Sequence, residues 1–527
     1  MLTWVSRASA ARALVLAALV MCGGAIAQSG PRFAVQRFDV QGNTLLSASE
    51  MDEALAPYRG GDKTFADLRK AAEALEAAYL AHGFGGVQVL IPEQDVSAGV
   101  VRLRVAERRV GKVTVEGNQA FGAENVRRSV PWVREREVPN LDAIARNLQL
   151  LAEHPSKRTE VLLRSGAAED VVDVGIRVSD EKPWKTFLSL DNTGTASTGY
   201  YRLGVGYQHS NLFDRDHVLT AQYVTSPTYA SKVSIYGLGY RVPFYESHSS
   251  LDLMLGYSNV NSGTVAGLFT VSGQGTIASA RWNWYPARWG EVEQKVSLGL
   301  DYKAFSNQVM FQEQGVVPDI TVHPASATYA GVRRGADSEL SFYGSLSANL
   351  PGGNDGTQAD FDRSRAGASA RYTIVRYGAS YLRQLGTDWQ VRAAVNGQET
   401  GDALVSGEQF GLGGPDSVRG YLPREVVNDR GYSVQIELYT PELASRLGLA
   451  ERQQLRLLAF LDGGSVWRNH ALPGEATHDS IGSAGVGARW NYGKSASLKL
   501  DLAQVLQATP DRRRNSQRLG AALALSF

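Results

Sequence analysis

Residues 201–208 read Tyr-Arg-Leu-Gly-Val-Gly-Tyr-Gln, and large apolar side chains alternate there with small or polar ones. Residues 519–527 read Leu-Gly-Ala-Ala-Leu-Ala-Leu-Ser-Phe and alternate in the same way. A period of two indicates β-strands with one apolar face, and such segments follow one another from Lys185 onward, where no helix is expected. Because a soluble β-sandwich alternates too, the pattern by itself leaves a sandwich and a barrel open.

The lengths of the connections distinguish these two folds. We count about sixteen strands, an even number as in bacterial single-chain barrels, and they start near residues 185, 199, 216, 231, 247, 276, 293, 321, 338, 368, 388, 431, 453, 482, 496 and 518. Every second connection is short, as at 211–215, 242–246, 334–337, 385–387 and 493–495. Most of the others are long and polar, as at 259–275, 352–367, 402–430 and 465–481. Short turns on one rim and long loops on the other predict a transmembrane β-barrel of antiparallel strands in outer-membrane lipid.

The N-terminus has the pattern of a secretory signal peptide. Arg7 and Arg12 precede the apolar run 13–21, and Ala25-Ile26-Ala27 fits the small-residue rule for cleavage. We therefore predict a signal peptide at residues 1–27, which sends the mature chain out of the cytoplasm. The run is too short to predict a membrane-spanning helix.

Two small α/β modules are predicted between the signal peptide and the first barrel strand. Residues 33–108 show the order β-α-α-β-β, with Ser47 and Glu50 forming a capping box at the first helix. The same order recurs in residues 109–182, where the turn Gly117-Asn118 matches Gly42-Asn43. The predicted elements are strands at 35–40, 87–91, 100–105, 112–116, 161–164 and 171–178, and helices at 47–55, 64–83, 124–129 and 140–152.

Composition and local motifs argue against several other functions. A net charge of +1 over 527 residues predicts no nucleic-acid partner. Residues 488–495 match the loose phosphate-loop pattern, but they lie between two alternating strands instead of before a helix, so we predict no nucleotide site. The histidines are scattered and the lone Cys22 has no partner, so neither a metal site, a cofactor nor a catalytic group is expected, and we predict no enzyme.

One loop and one strand stand out inside the predicted barrel. Gly413, Gly414 and Gly420 let the loop that carries Arg419 turn sharply. On the strand at 453–464, the leucines define the outward face, and the alternation therefore points Asp462 into the lumen. A guanidinium can bind a carboxylate bidentately, so the pair could fasten the loop to the wall; a surface loop with an incidental arginine is the alternative.

These motifs resemble a known superfamily. Val418-Arg419-Gly420-Tyr421 and Phe460-x-Asp462-x-Gly464 are similar to the paired signatures of outer-membrane assembly and secretion barrels. Ahead of them, the two modules resemble POTRA domains, and Pro92, Gln94, Asp95 and Gly99 match the proline-containing loop of the first POTRA domain in two-partner secretion transporters, the TpsB or hemolysin secretion/activation family. The resemblance implies that the loop tip folds into the pore and that Arg419 contacts Asp462.

The resemblance also implies a function. The protein is expected to secrete a large β-rich exoprotein, such as an adhesin, a hemolysin or a toxin, which crosses the outer membrane in unfolded form after capture in the periplasm. Open sheet edges of the POTRA domains suit such a capture, although the modules could also be plain spacers. The alternative function is that of an assembly factor, which inserts other barrels; two modules instead of a longer array disfavour it.

Three finer expectations complete the prediction. The terminal Phe527 resembles the signal that the outer-membrane barrel assembly machinery reads. Some members of the family place a plug helix before the first POTRA domain, but only residues 28–32 are available here, so no plug helix is expected. If Arg419 and Asp462 form an isolated pair in a wet lumen, they contribute only about 0 to 1 kcal/mol of stability.

Overall fold

A computed structural model describes residues 32–527, apart from 169, 261–262, 266–268, 272–273, 307–309, 312–313, 316–317 and 450. The predicted signal peptide at 1–27 lies outside the described residues. The chain divides into two compact units at Arg108 and Arg109. Among the described helices, none is long and apolar enough to cross a membrane.

The first unit is a small α/β module, which we call the first module. Its central sheet runs in the order Arg37–Gln41, Val100–Ala106, Gln88–Leu90, with the first pair parallel and the second antiparallel. Helices Ala48–Leu55 and Phe65–Ala81 begin at the capping boxes of Ser47 and Thr64. The structure adds a pairing that the sequence did not predict, between Phe33–Val35 and Gly60–Lys63.

The second unit begins with a module of the same order, which we call the second module. Its sheet runs Arg109–Glu116, Val171–Asp180, Lys157–Ser165, and its helices are Ala123–Arg128 and Leu141–Ala152. Asn140 caps the longer helix by accepting a hydrogen bond from the amide of Ala143. The core contains valines of the sheet together with Phe121 and Leu151.

The rest of the second unit is a closed antiparallel barrel of sixteen strands, which confirms the predicted fold class. In chain order the strands are Trp184–Asp191, Arg202–Leu212, His217–Thr225, Ser234–Phe244, Ser249–Ser258, Gly275–Trp284, Val292–Phe305, Ile320–Val322 continued by Pro324–Arg334, Ser338–Asn349, Thr373–Gln384, Gln390–Glu399, Arg430–Tyr439, Gln453–Trp467, His478–Tyr492, Ala496–Val505 and Gln517–Ser526. We number them one to sixteen. The last strand pairs with the first and closes the barrel.

Side chains alternate between the lumen and the outer face as the sequence predicted. On strand thirteen, Leu458, Phe460 and Asp462 are buried, whereas Leu457 and Leu461 are exposed on the outer face. Because every second residue of a barrel strand faces lipid, the exposed leucines belong to the apolar band and the buried carboxylate belongs to the lumen.

Within the residues that the structure describes, the connections between barrel strands contain one α-helix that the sequence does not predict. Helix Gln358–Ser364 lies in the loop between strands nine and ten, with a capping box of Thr357 and Asp360. The expectation of no helix after Lys185 is therefore wrong. Seven residues give too few turns for a recognisable period of 3.6, and tertiary packing of Phe361, which is fully buried, stabilises so short a helix.

Candidate functional site in the barrel lumen

The loop between strands eleven and twelve, residues 400–429, folds into the lumen; we call it the lumen loop. Val418 and Tyr421 at its tip are buried in a cluster with Leu412 and with side chains of strands thirteen to fifteen. The hydroxyl of Tyr421 lies within hydrogen-bond distance of two carbonyl oxygens, of Gly482 at 2.9 Å and of Gln507 at 2.7 Å, and its single proton is shared between them. Apolar packing and hydrogen bonds therefore both fix the tip against the wall.

Glycines allow this close approach. Gly420 has φ +95°, and a Cβ built there would lie 3.2 Å from the Cβ of Ala503 on the wall. On strand thirteen, a Cβ at Gly464 would lie 2.5 Å from the carbonyl oxygen of Tyr432 and 2.8 Å from Leu412 of the loop. Any larger residue at either position would push the loop away from the wall.

Arg419 lies between these contacts and binds Asp462 bidentately. Its Nε donates to Oδ2 at 2.7 Å and its Nη2 donates to Oδ1 at 2.7 Å. The backbone amide of Arg419 also donates to Oδ2, at 3.1 Å. The guanidinium carbon lies 3.6 Å from the centre of the Phe460 ring, so the cation is covered by an aromatic face as well. All three residues of the wall motif thus lie against the lumen loop.

Two further carboxylates belong to this site and were not predicted from the sequence. Nη1 of Arg419 donates to Oε1 of Glu437 at 2.8 Å and lies 3.5 Å from Oδ1 of Asp501. Arg392 and Arg489 bind the same two carboxylates from the neighbouring strands. The alternation on strands twelve and fifteen would have placed both carboxylates in the lumen. Their contact with Arg419, however, depends on the register of the strands, which cannot be read from one sequence.

The burial of this cluster changes the expected energetics. The side chains of Arg419 and Asp462 are only 4% and 0% exposed, so the pair is neither isolated nor in a wet environment. Breaking a buried pair by removing one partner costs about 3 to 5 kcal/mol because a buried charge is left uncompensated. The estimate of about 0 to 1 kcal/mol for an exposed pair therefore does not apply here.

A second ionic contact holds the lumen loop to another part of the wall. Glu408 is 2% exposed and accepts hydrogen bonds from Lys303 at 2.8 Å and from Arg376 at 3.0 Å. These two cations belong to strands seven and ten, whereas Asp462 belongs to strand thirteen. The loop therefore contacts separate parts of the wall and spans the lumen.

A third ionic contact joins three loops at the outer end of the barrel. Asp429, at the end of the lumen loop, is fully buried and pairs with Arg365 of the loop between strands nine and ten. It also accepts from the amides of Leu404 at 2.9 Å and Asn469 at 2.7 Å. Beside it, Phe361 of the short helix packs in an apolar cluster with Leu404 and Val405 of the lumen loop. We call these contacts the outer interlock.

The other end of the lumen contains a charged cavity of 720 Å³. Glu153, at the end of the longer helix of the second module, pairs there with Arg241 at 2.7 Å and Lys295 at 2.9 Å on the barrel wall. The second module therefore contributes a side chain to the periplasmic end of the lumen.

A buried polar cluster attaches the second module to the turn between strands two and three. Lys157 donates to Asp216 at 2.6 Å and to Asn125 at 2.9 Å, and Tyr245 donates to Asp216 at 2.7 Å. Burial raises the pKa of the Asp216 carboxyl, but the charge of Lys157 and the hydrogen bonds from Lys157 and Tyr245 together outweigh burial and hold that pKa below its ordinary value. Burial lowers the pKa of the neighbouring His154 to about 4, so this ring is neutral.

The proline-containing loop of the first module stabilises one end of a strand. Pro92 has no N–H for strand pairing, and the side-chain amide of Gln94 takes over: it accepts from the amide of Arg102 at 2.6 Å and donates to its carbonyl at 2.8 Å. Asp95 accepts from the amide of Ser97 at 2.9 Å, which lowers its pKa, and Gly99 turns the chain with φ +71°.

The remaining predicted residue lies at the closing seam of the barrel. The amide of Phe527 donates to the carbonyl of Thr186 at 2.9 Å, and its own carbonyl accepts from Thr186 at 3.2 Å. Its side chain is 72% exposed. Among the described residues, no group of three or more His, Cys, Asp or Glu side chains is placed to hold a metal ion.

Family models match most of the chain. The model for haemolysin secretion/activation proteins ShlB/FhaC/HecB matches residues 171–490. A second model, for the ShlB-type POTRA domain, matches residues 33–107. The first match extends from the last strand of the second module into strand fourteen, and it includes both the lumen loop and the wall motif.

Individual proteins are similar over almost the whole length. The outer membrane transporter CdiB of Dickeya dadantii is 23% identical, over 88% of this chain and 82% of that protein. The heme/hemopexin transporter protein HuxB of Haemophilus influenzae is 20% identical, over 90% of this chain and 84% of that protein. The solved structure of CdiB from Escherichia coli superposes with a TM-score of 0.76 at 19% identity, over 97% of this chain and 93% of that one, which shows a common fold.

Proposed function

The chain belongs to the haemolysin secretion/activation family ShlB/FhaC/HecB, and from that premise we propose a route for its cargo and a role for each attachment of the lumen loop. The protein is an outer-membrane transporter of two-partner secretion with periplasmic POTRA domains. Transporters of this family act with a secreted exoprotein. This chain therefore has to receive such a partner in the periplasm and let it pass through the barrel.

The partner enters unfolded and is captured along open sheet edges. Within the described residues, strand Gln88–Leu90 of the first module and strand Lys157–Ser165 of the second each pair on one side only. An edge strand offers free main-chain groups that bind an extended polypeptide with little demand on its sequence. Leu90 and Leu163 are 47% and 45% exposed on these edges and provide apolar contacts for the added strand.

From the edges the partner passes through the lumen, where the lumen loop has to change position. The single observation that carries this proposal is that the loop spans the lumen between Glu408, Arg419 and Asp429, all buried and paired. We assign Arg419 the role of a latch that fixes the loop tip to strand thirteen. The outer interlock closes the resting pore from outside. Folding of the partner outside the cell drives its passage.

Deleting the first module tests the capture step. A chain lacking residues 33–108 is expected to form the barrel, because these residues form a compact unit of their own, but to lose binding of the partner. The measurement is co-purification of the partner's N-terminal part with the full chain and with the shortened chain in detergent. Retained co-purification would show that the first module is a spacer.

Phe527 supports a further part of the proposal, insertion by the outer-membrane barrel assembly machinery. Its exposed ring at the end of strand sixteen is accessible to that machinery before the barrel is closed. A chain that ends at Ser526 is expected to yield less folded barrel in the outer-membrane fraction. An equal yield would show that insertion does not need Phe527 and that its side chain only adds to the lipid-facing surface.

A further inference from the structure

A groove of 870 Å³ lies between the second module and the periplasmic rim of the barrel. One wall is the segment that begins with helix Ala123–Arg128 and carries Arg127, Arg128 and Arg134. The other wall comprises the turn that carries Arg215 and the end of strand four with Phe244. Arg128 joins the two walls by donating to the carbonyl of Asp214 at 3.0 Å. Four arginines thus line one groove.

The groove opens at the level of an aromatic belt. Phe213 is 76% exposed at the tip of the turn. Phe244 of strand four and Trp282 of strand six stack across strand five on the outer face, with ring centres 5.4 Å apart, and Trp284 on strand six is 45% exposed. Aromatic girdles of outer-membrane barrels lie at the lipid–water boundary, where the headgroups are. The arginines therefore face the headgroup region of the periplasmic leaflet.

The arginines keep donors available for a ligand. Arg128 and Arg134 are paired with carboxylates, with Asp214 at 3.3 Å and with Glu137 at 3.9 Å. Within the described residues the guanidinium of Arg215 has no hydrogen bond or ion pair, and Arg127 uses one nitrogen, which donates to the carbonyl of Val113 at 2.9 Å. The groove also contains Glu124, Asp216 and Glu246, of which Asp216 is neutralised by Lys157. Guanidinium groups bind phosphate oxygens bidentately, so the groove has the chemistry of a phosphate site beside an apolar surface.

We propose that this groove binds an anionic phospholipid of the periplasmic leaflet, with the phosphate between Arg127 and Arg215 and the acyl chains along Phe213 and Phe244. The lipid fits because the groove is continuous with the lipid-facing surface and its free cations face the headgroup layer. A bound lipid sets the height of the second module relative to the membrane and supports the module's attachment to the barrel. This inference does not depend on the identity of the secreted partner.

Lipid retention by the full-length protein tests the proposal. The protein is purified in detergent, titrated with phosphatidylglycerol or with phosphatidylcholine, and analysed by native mass spectrometry. Each arginine near the surface contributes about a fivefold change in binding of an anionic lipid, so Arg127→Gln/Arg215→Gln is expected to weaken phosphatidylglycerol binding by at least about tenfold. Phosphatidylcholine carries the same phosphate but no net charge, so its binding is expected to be weaker and to fall by a smaller factor, and soluble glycerol phosphate is expected not to compete.

Two control variants keep the test decisive. Arg164→Gln/Arg177→Gln removes two exposed arginines from the sheet of the same module and is expected to bind phosphatidylglycerol like the unchanged protein. Arg127→Lys/Arg215→Lys keeps the charge and is expected to retain most of the binding. Heat-modifiable migration in gels checks that each barrel is folded. Equal lipid loss in the glutamine variant and the sheet control, no loss in either, or full competition by glycerol phosphate would overturn the proposal.

Discussion

Replacing Arg419 by alanine removes the cation that binds three carboxylates at the loop tip. Glu437 and Asp501 keep Arg392 and Arg489 as partners. Asp462, whose side chain is 0% exposed, keeps only the backbone amide of residue 419. An unpaired buried carboxylate of this kind costs about 3 to 5 kcal/mol, which corresponds to a hundredfold or greater shift between the docked and the detached loop tip.

The barrel itself is expected to remain folded in Arg419→Ala. The strand ladder does not involve this side chain, and the attachments at Glu408 and Asp429 remain. We therefore expect normal amounts of heat-modifiable barrel in the outer membrane, faster hydrogen exchange at residues 413–421, and impaired secretion. Arg419→Lys is expected to show hydrogen exchange and secretion between those of the unchanged protein and those of Arg419→Ala, because an ammonium keeps the charge but cannot bind bidentately.

The matched control is Arg468→Ala, which breaks another bidentate pair. Arg468 binds Glu475 at 2.7 Å in an outer loop, and both side chains are partly exposed. The loss of stability in Arg468→Ala is therefore expected to stay within about 1 kcal/mol. Secretion is measured as partner in the medium or on the cell surface, and exchange by mass spectrometry. Unchanged secretion and unchanged exchange in Arg419→Ala would refute the role of the latch.

Two more predictions concern the ends of the lumen. Asp429→Asn removes the charge that Arg365 and two backbone amides bind, so we expect a larger ion conductance in planar bilayers than in Arg468→Ala; equal conductance would contradict closure by the outer interlock. At the periplasmic end, His154 has a folded-state pKa of about 4, below the ordinary value of about 6.5, because it is buried and lies near the ammonium of Lys157. The unfolded state therefore binds the proton more tightly, and the second module should lose up to about 3 kcal/mol as the pH falls from about 6.5 to about 4. The rate at which limited proteolysis cuts the second module is therefore expected to rise as the pH falls, and His154→Gln should remove this part of the rise. An unchanged pH profile in His154→Gln would assign the effect to other groups.

The barrel could be predicted because its signal is local. Alternation on strand thirteen fixed the face of Asp462 without any knowledge of the neighbouring strands, and turn and loop lengths fixed the class of barrel. The closed sheet then results from the need to pair every strand edge in lipid.

Other parts of the site depend on contacts that a single sequence does not reveal. Glu408 and Asp429 lie in a long polar loop, where a carboxylate most often faces solvent, and only tertiary folding buries them. Lys157 lies outside the predicted strand 161–164, since a lysine rarely occupies a core; its burial depends on Asp216, which comes from a distant turn.

Passage of the partner through this lumen is the central claim, and site-specific cross-linking tests it most directly. Met254 lines the lumen cavity, while the adjacent Leu255 is 54% exposed on the outer face. A photo-reactive residue is placed at each position in turn, and a partner with a stably folded C-terminal domain is stalled during secretion. We predict cross-links to the partner from position 254 and none from position 255. Equal cross-linking from both positions, or none from 254 while the partner is stalled, would contradict a route through the lumen.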